Sequence, residues 1–374
     1  MTLFSVPGGE LTLRRLPLRE DDPLRAWDAA DEYLISYLTQ EMDDNGRVLI
    51  LNDAFGALTL GLLERHPDLV TDSAVAQLAL RHNAEINGLS VDHVTVYDPL
   101  GDWGTPPGAV VLKVPKTHAL LSHQLHRLRA LLPPSTPIVA AGMAKHIHTS
   151  TLNLFESIVG PTTTSLARKK ARLIFATLDP TLAIAAPPDP ITHQVPEYGL
   201  TLVDYPSVFS QGRLDRGTRL LLENLPSTAG RCVDLGCGNG ALGIAIALAQ
   251  RDSHVTFVDE SHLAVASARA GWSANGLDPA RATFQTVDCL ADVEEKSVDL
   301  ILCNPPFHQG QAKGDQIAWR MFTQARATLR PGGQLCVVGN RHLGYHVKLA
   351  RLFGRCETLA SDGKFVVLSV RRPE

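Results

Sequence analysis

The stretch Arg231-Cys232-Val233-Asp234-Leu235-Gly236-Cys237-Gly238-Asn239-Gly240-Ala241-Leu242-Gly243 decides the fold class. Its apolar opening predicts a buried strand, and the apolar run Ala241–Ala249 predicts a helix. Between them, glycines permit positive φ and let a ligand approach the backbone, with helix-terminal N–H groups nearby. Gly238-x-Gly240-x-x-Gly243 also satisfies the dinucleotide fingerprint, so the glycines alone leave a nicotinamide oxidoreductase open.

Around this turn, β-branched and aliphatic runs alternate with helical patterns. His254–Asp259, Ala282–Val287, Val298–Cys303, Gly333–Gly339 and Lys364–Val370 predict strands; Leu263–Gly276 and Ala318–Leu329 predict helices. Such alternation argues for a mostly parallel, doubly wound sheet. Four prolines fall within residues 187–196, which places a linker at 186–200 between domains 1–185 and 201–374.

The first domain repeats the rhythm. Gly56-Ala57-Leu58 overlays Gly240-Ala241-Leu242 at an offset of 184, Asp72 overlays Asp259 at 187, and Asn87-Gly88-Leu89 overlays Asn275-Gly276-Leu277 at 188. Pro115 overlays Pro305 at 190, which puts Val114 opposite Asn304 and Thr117 opposite Phe307. The steady drift is what small loop insertions between equivalent elements produce. We expect a duplicated fold whose amino-terminal copy, with Asn52-Asp53-Ala54-Phe55 replacing the first glycines, is degenerate.

Composition bounds the function. With 374 residues, 44% of them hydrophobic and 20% charged, and a mean hydropathy of zero, the chain is a globular protein of about two domains at roughly 150 residues each. No secretory signal opens it, and its longest apolar run falls far short of the ~20 residues of a membrane span, so the expectation is a cytoplasmic protein without a membrane partner. The six cysteines form no C-x-x-C pair and read as buried thiols, with no metal. The net charge of −4 sums −10 over residues 1–100, +5 over 101–195 and +1 over 196–374, so any nucleic-acid surface is local.

Two features bear on which ligand the turn holds. Asp234 precedes the glycines in the order Asp-x-Gly-x-Gly-x-Gly, which resembles motif I of class I S-adenosylmethionine-dependent methyltransferases; the resemblance implies a carboxylate engaging the cofactor's cationic end, a place a diphosphate would not favour. Asn304-Pro305-Pro306-Phe307 then follows the strand Val298–Cys303. Asn-Pro alone is a turn former. Placed there, however, the tetrapeptide resembles the N-P-P-[FYW] motif of class I S-adenosylmethionine-dependent methyltransferases acting on planar amino groups. Such a nitrogen is a poor nucleophile. An Asn304 side-chain oxygen and the Pro305 carbonyl would accept its two hydrogens, and Phe307 would stack on its ring.

Flanking strings narrow the resemblance. Asn304 to Gln309, Val208–Gly217 and the duplicated amino-terminal half resemble the ribosomal RNA guanine-N(2) methyltransferases over nearly the whole chain. Trp27–Leu34, Leu51–Ala57, Lys113–Thr117, His148–Thr151, Gly160–Thr164 and Lys169–Ile174 resemble the large-subunit branch, which acts on 23S rRNA, rather than the small-subunit (16S) branch, kept as the alternative. The resemblance implies two tandem Rossmann-like methyltransferase domains, with S-adenosyl-L-methionine held by Asp234, Gly236, Cys237, Gly238 and Gly240. It puts the ribose at Asp259, the adenine side at Asp288 and the reaction at Asn304, Pro305, Pro306 and Phe307. Phe209 and Arg213 would lie over the target base. The family pattern there reads Phe-Ser-Arg-x-Gly-Leu-Asp-x-Gly, whereas this chain has Gln211 for the arginine and Gly212-Arg213 after it. Lys113, Lys116, Lys145, Arg168, Lys169 and Lys170 are the candidate contacts to the rRNA backbone. A non-catalytic RNA-binding protein is the remaining rival.

Overall fold

The computed structural model of the chain describes residues 3–19, 22–42, 46–188, 190–227, 230–306 and 311–374. They divide into two compact units, Met1–Pro188 and Asp189–Glu374.

The first unit opens with an antiparallel hairpin of β1 (Leu3–Val6) and β2 (Gly9–Thr12), followed by α1 (Ala29–Gln40). The main sheet is built from β3 (Val48–Leu51), β4 (Asp68–Val70), β5 (Val96–Tyr97), β6 (Ala109–Lys113), β7 (Ile138–Met143), β8 (Thr162–Thr164) and β9 (Ala171–Ala176). Helices α2 (Ala57–Gly61), α3 (Ala74–Ile86), α4 (His118–Leu131) and α5 (Thr149–Ile158) connect them. All four residues of β3 and four of five in β6 are buried, as strands covered on both faces require.

The second unit repeats this order. Its hairpin is β10 (Ile191–Val195) with β11 (Leu200–Asp204), and α6 (Arg216–Leu222) follows. Its sheet contains β12 (Arg231–Leu235), β13 (His254–Asp259), β14 (Ala282–Thr286), β15 (Val298–Cys303), β16 (Leu329–Asn340), β17 (Cys356–Ser361) and β18 (Phe365–Arg371). The helices are α7 (Ala241–Ala249), α8 (His262–Ala274), α9 (Gln311–Thr328) and α10 (Tyr345–Phe353). The strand orders, β5-β4-β3-β6-β7-β9-β8 and β14-β13-β12-β15-β16-β18-β17, are the same order twice. In each sheet only the sixth strand in that order runs antiparallel to its neighbours. Each sheet carries a buried apolar cluster on either face.

Hairpin β10–β11 corrects the expected linker at 186–200. Prolines 187, 188 and 190 precede the first strand and Pro196 opens the turn between strands, so none interrupts a ladder. The hairpin is duplicated too. Asn87 brackets the backbone of Thr12 with two hydrogen bonds of 2.8 Å, and Asn275 brackets Thr201 with bonds of 2.9 and 2.7 Å.

Register refines the overlay of the two halves. Leu51 pairs with Leu112 and with Val70, while Leu235 pairs with Cys303 and with Val258. Thr71, not Asp72, therefore stands where Asp259 stands. Its hydroxyl accepts from Ser73 N at 3.2 Å, as Asp259 accepts from Ser261 N at 3.0 Å. By the same register Lys113, not Val114, is the counterpart of Asn304.

Candidate active site

In the second unit β12 lies between β13 and β15, where the direction of strand order reverses. Ligands of open α/β sheets bind at such a point, beyond the carboxyl ends of the strands. Leaving β12, the chain turns through Gly236, Gly238 and Gly240 at φ of 71°, 53° and 81°. These glycines do different jobs. A Cβ on Gly240 would meet Ala268 Cβ at 2.9 Å and its Cα at 3.0 Å, and one on Gly243 would strike the Phe257 ring at 2.4 Å, so both let α7 pack closely. At Gly238 a Cβ would meet nothing within 4 Å, which marks the open side of the turn.

The turn's amides are largely spent internally. Gly236 N and Cys237 N donate to Val258 O, Gly238 N donates to Asp259 Oδ2 at 3.0 Å, and Gly240 N donates to Cys237 O at 2.8 Å. The expected supply of N–H groups at these four positions is thus committed to holding the turn's shape. Asp234 is buried and its Oδ2 accepts from Gly243 N at 2.8 Å, facing the first turn of α7. Burial pushes its carboxyl up to about 8, against the Gly243 amide and helped by the charge of Asp259. Asp234 thus holds the first turn of α7 through Gly243 N. Burial also pushes the Cys237 thiol up, with Asp259 and Asp234 adding to the effect.

Asp259 ends β13 with Oδ2 on Gly238 N and Oδ1 on Ser261 N, each at 3.0 Å, and burial raises its carboxyl. A carboxylate has about four acceptor sites, of which the Gly238, Ser261 and Glu260 amides take up three. Asp288 lies just past β14, and Arg320 of α9 donates to its Oδ1. The sequence offered no pointer to Arg320.

Asn304 follows β15, beside the glycine turn. Its Nδ2 donates to Thr218 Oγ1 at 2.9 Å and lies 3.3 Å from Asp215 Oδ2. Its Oδ1 is buried with no hydrogen-bond partner among the described residues. Buried acceptors are rarely left unmet, so this oxygen is ready for a donor. Pro305 is buried and Pro306 exposed; Phe307 lies outside the described residues.

The segment before α6 is held from below. Ser207, Ser210 and Gly212 take φ of 71°, 62° and 74°. Fully buried Asp204 accepts from Gly212 N at 2.6 Å and from Asn239 Nδ2 at 2.8 Å, tying this segment to the glycine turn. Phe209 is 51% exposed and Arg213 is exposed. Asp215 caps α6 by accepting from Thr218 N at 2.9 Å. Asp204 and Thr218 escaped the sequence reading, whereas Asp215 lies in the singled-out Val208–Gly217 segment but was given no contact to Asn304.

In the first unit the candidate RNA contacts part ways. Lys113 Nζ lies 2.8 Å from both Asp28 Oδ1 and Asp31 Oδ1, and its side chain is only 16% exposed. Burial would lower its affinity for a proton, but the two carboxylates raise it, so the ammonium is held charged inside the protein. That removes Lys113 from the candidate phosphate contacts. Lys116 and Lys145 are exposed. Arg168, Lys169 and Lys170 form an exposed hairpin tip between β8 and β9, closed by Arg168–Ala171 backbone bonds of 2.8 Å in both directions. Lys169 reaches Glu32 at 2.7 Å, and Arg168 sits 5.7 Å from the centre of the Tyr33 ring.

No group of three His, Cys, Asp or Glu among the described residues is arranged to hold a metal, and no helix among them is long and apolar enough to cross a membrane.

Known proteins share both halves. Residues 1–180 match the family described as RLMG N-terminal domain, and residues 199–369 match the methyltransferase small domain. Ribosomal RNA large subunit methyltransferase G of Streptomyces coelicolor is 50% identical over 379 residues, covering 98% of this chain and 99% of that protein. The protein of the same name from Pseudomonas putida KT2440 is 47% identical, covering 100% of each chain. Among solved structures, the T. thermophilus 16S rRNA N2 G1207 methyltransferase RsmC, in complex with AdoMet and guanosine, superposes with a TM-score of 0.79 at 24% identity, covering 99% of this chain and 97% of that one. That likeness shows a shared fold over both units. With half its residues identical across nearly its full length, the chain belongs to the ribosomal RNA large subunit methyltransferase G family.

Proposed function

We propose that this methyltransferase moves a methyl group from S-adenosyl-L-methionine to the exocyclic N(2) amine of one guanine in 23S rRNA. The observation that carries the reading is the buried, unpartnered Oδ1 of Asn304, beside a glycine turn whose open side is at Gly238. The residues suit the cofactor. Asp259 has acceptor capacity for a ribose hydroxyl, Asp288 retains a second oxygen for an amino group, and the space over Gly238 admits a ligand to the backbone. S-adenosyl-L-methionine supplies an electrophilic methyl carbon on a sulfonium sulfur.

The chain's residues do the rest. Asn304 Oδ1 and the Pro305 carbonyl accept the two amino hydrogens and orient the nitrogen lone pair toward the methyl carbon. As the N–C bond forms and the S–C bond breaks, these acceptors stabilise the positive charge growing on nitrogen. The proton is then lost without a strong base, because the alkylated nitrogen is acidic. Phe307 supplies a face for the guanine, with Phe209 and Arg213 on the approach. The target nucleotide must leave its stack to reach Asn304. Catalysis belongs to the second unit, Asp189–Glu374. The first unit, through Lys116, Lys145, Arg168, Lys169 and Lys170, binds the RNA backbone in the cytoplasm.

The test incubates purified protein with labelled S-adenosyl-L-methionine and separated 16S and 23S rRNA from a strain lacking the enzyme, then maps the modified nucleoside. N(2)-methylguanine in 23S rRNA is expected; label in 16S rRNA, protein or DNA, or none, overturns the reading. Asn304→Ala should keep cofactor affinity and lose transfer by at least about 100-fold, the scale of removing one oriented transition-state partner.

A further inference from the structure

We propose that Asp215 and Thr218 are positioning residues whose shared grip on Asn304 Nδ2 sets the side-chain amide with its oxygen toward the substrate amine; the proposal rests on the function given above.

An asparagine amide has two faces of similar shape and opposite hydrogen-bonding character: rotated by half a turn, it offers donors where an acceptor is needed. A guanine amine facing Nδ2 would meet donor against donor. What fixes the amide is therefore as important as the residue itself. The Asp215 carboxylate can only accept hydrogen bonds when ionised, and it faces Nδ2 at 3.3 Å. Thr218 Oγ1 adds an acceptor at 2.9 Å, from a residue that is 8% exposed. Both capture the nitrogen and leave Oδ1 aimed away with its lone pairs unmet.

Helix capping accounts for only part of this arrangement. The cap is the Thr218 N to Asp215 Oδ2 bond at 2.9 Å, which any residue at position 218 would make with its backbone. The Thr218 hydroxyl does no capping; its bond is to Asn304, 86 residues away in sequence.

The first unit shows the same cradle with a different occupant. Asp28 caps α1 as Asp215 caps α6, and Asp31 stands three residues on, as Thr218 does. Between them they hold Lys113 Nζ, each at 2.8 Å, and Lys113 is the register counterpart of Asn304. Both units thus use the helix cap and the third helical residue to seize a nitrogen on the residue that leaves the fourth strand. The chemistry of each cradle matches its guest: two carboxylates for an ammonium, one carboxylate and a hydroxyl for a neutral amide. Lysine has no acceptor left over, which is why the first unit cannot receive an amine, whereas the amide in the second unit keeps its oxygen.

The test measures kcat and KM for 23S rRNA, together with equilibrium binding of S-adenosyl-L-methionine, for wild type, Thr218→Val, Thr218→Ser and Asn304→Ala, and for Thr218→Val within Asn304→Ala. Valine keeps the shape and the backbone cap and removes only the acceptor. Thr218→Val is expected to lower kcat about 10-fold or more, with cofactor affinity and KM within about 2-fold, since the lost bond acts on the reacting geometry. Thr218→Ser should recover most of the rate, and Thr218→Val should cost nothing further once Asn304 is alanine. A Thr218→Val enzyme with wild-type kcat, a serine variant as slow as the valine one, or additive losses with Asn304→Ala would each overturn the proposal while leaving the function standing. A wild-type enzyme that methylates no guanine would overturn the function, and the proposal with it. Should Thr218→Val fail to fold, Asp215→Ser, which keeps a capping hydroxyl too short to reach Asn304, takes its place in the same comparison.

Discussion

Lys113 and Asn304 leave equivalent strands at equivalent register positions, and each gives its side-chain nitrogen to a helix cap and to the residue three positions beyond it. The duplicated fold kept the cradle and changed the guest. In one unit the guest keeps an unmet acceptor; in the other it completes a partly buried ion cluster that ties α1 to β6. Under the function proposed above, the same positions serve reaction in one unit and stability in the other.

Lys113→Met should accordingly destabilise the protein without touching the proposed catalytic residues. It removes the cation from Asp31, whose side chain is 8% exposed and whose carboxyl burial pushes up to about 6 even with Lys113 opposing the shift. Asp28 is nearly half exposed and loses less. Breaking a buried pair by deleting one partner costs on the order of 3 kcal/mol. Urea denaturation at 25 °C and pH 7 measures it, and a loss below about 1 kcal/mol would mean the cluster is solvated like a surface pair. Replacing Asp31 by Asn in the same chain should recover part of the loss, because the uncompensated charge is then gone.

Asp234 predicts a pH dependence of stability. Its carboxyl stands near 8 in the folded protein, raised by burial, against an ordinary value of 3.8. A group whose folded value is raised contributes stability that is complete below the unfolded value and is lost as pH climbs through the folded one. Between pH 4 and 8 the native state holds a proton that the unfolded chain releases, so this residue makes stability fall with rising pH, by up to about 1.4 kcal/mol per pH unit. Asp234→Asn keeps an oxygen for Gly243 N and cannot ionise. Denaturation midpoints at pH 5, 6.5 and 8 should fall less steeply in the variant, which should overtake the wild type at the alkaline end. Parallel curves would show that Asp234 is ionised in the native protein throughout.

How much of this was legible in the sequence follows from the range of each contact. The glycine turn and the Asn304-Pro305 segment beside it were readable because each lies in consecutive residues. The duplication was readable from matching glycines and asparagines, but its register slipped by one at Asp72 and Val114. Loops of unequal length separate the anchors, and only strand pairing shows that Thr71 and Lys113 are the true counterparts. Hairpin β10–β11 hid because Ile191-Thr192-His193-Gln194-Val195 is mostly solvent-facing and lies among prolines, so no apolar alternation marks it. The grip of Asp215 and Thr218 on Asn304 spans 89 and 86 residues, a distance over which no local pattern speaks. Arg320 and Asp204 escaped for the same reason.

The hairpin tip Lys169-Lys170 carries the last prediction. Both lysines lie in the left-handed region, at φ of 48° and 65°, within a two-residue connection closed by reciprocal Arg168–Ala171 bonds. Positive φ at both central positions is the geometry that favours Asn-Gly, and a side chain with a Cβ there costs on the order of 1 kcal/mol per residue. The strained pair places two cations at an exposed tip, Lys169 beside Glu32, where the proposed function has a phosphate backbone bind. Changing Lys169 to Asn and Lys170 to Gly should therefore raise stability by about 1 kcal/mol, since the Lys169–Glu32 pair being given up is largely exposed and worth little. The same change should weaken binding of 23S rRNA and reduce the slope of log affinity against log salt by roughly 1 to 2, the share of two phosphate contacts. Denaturation and filter binding across a salt series read the two effects separately. A fall in stability would refute the strain account, and unaltered affinity and salt slope would remove this tip from the RNA surface while leaving Lys116 and Lys145 to carry it.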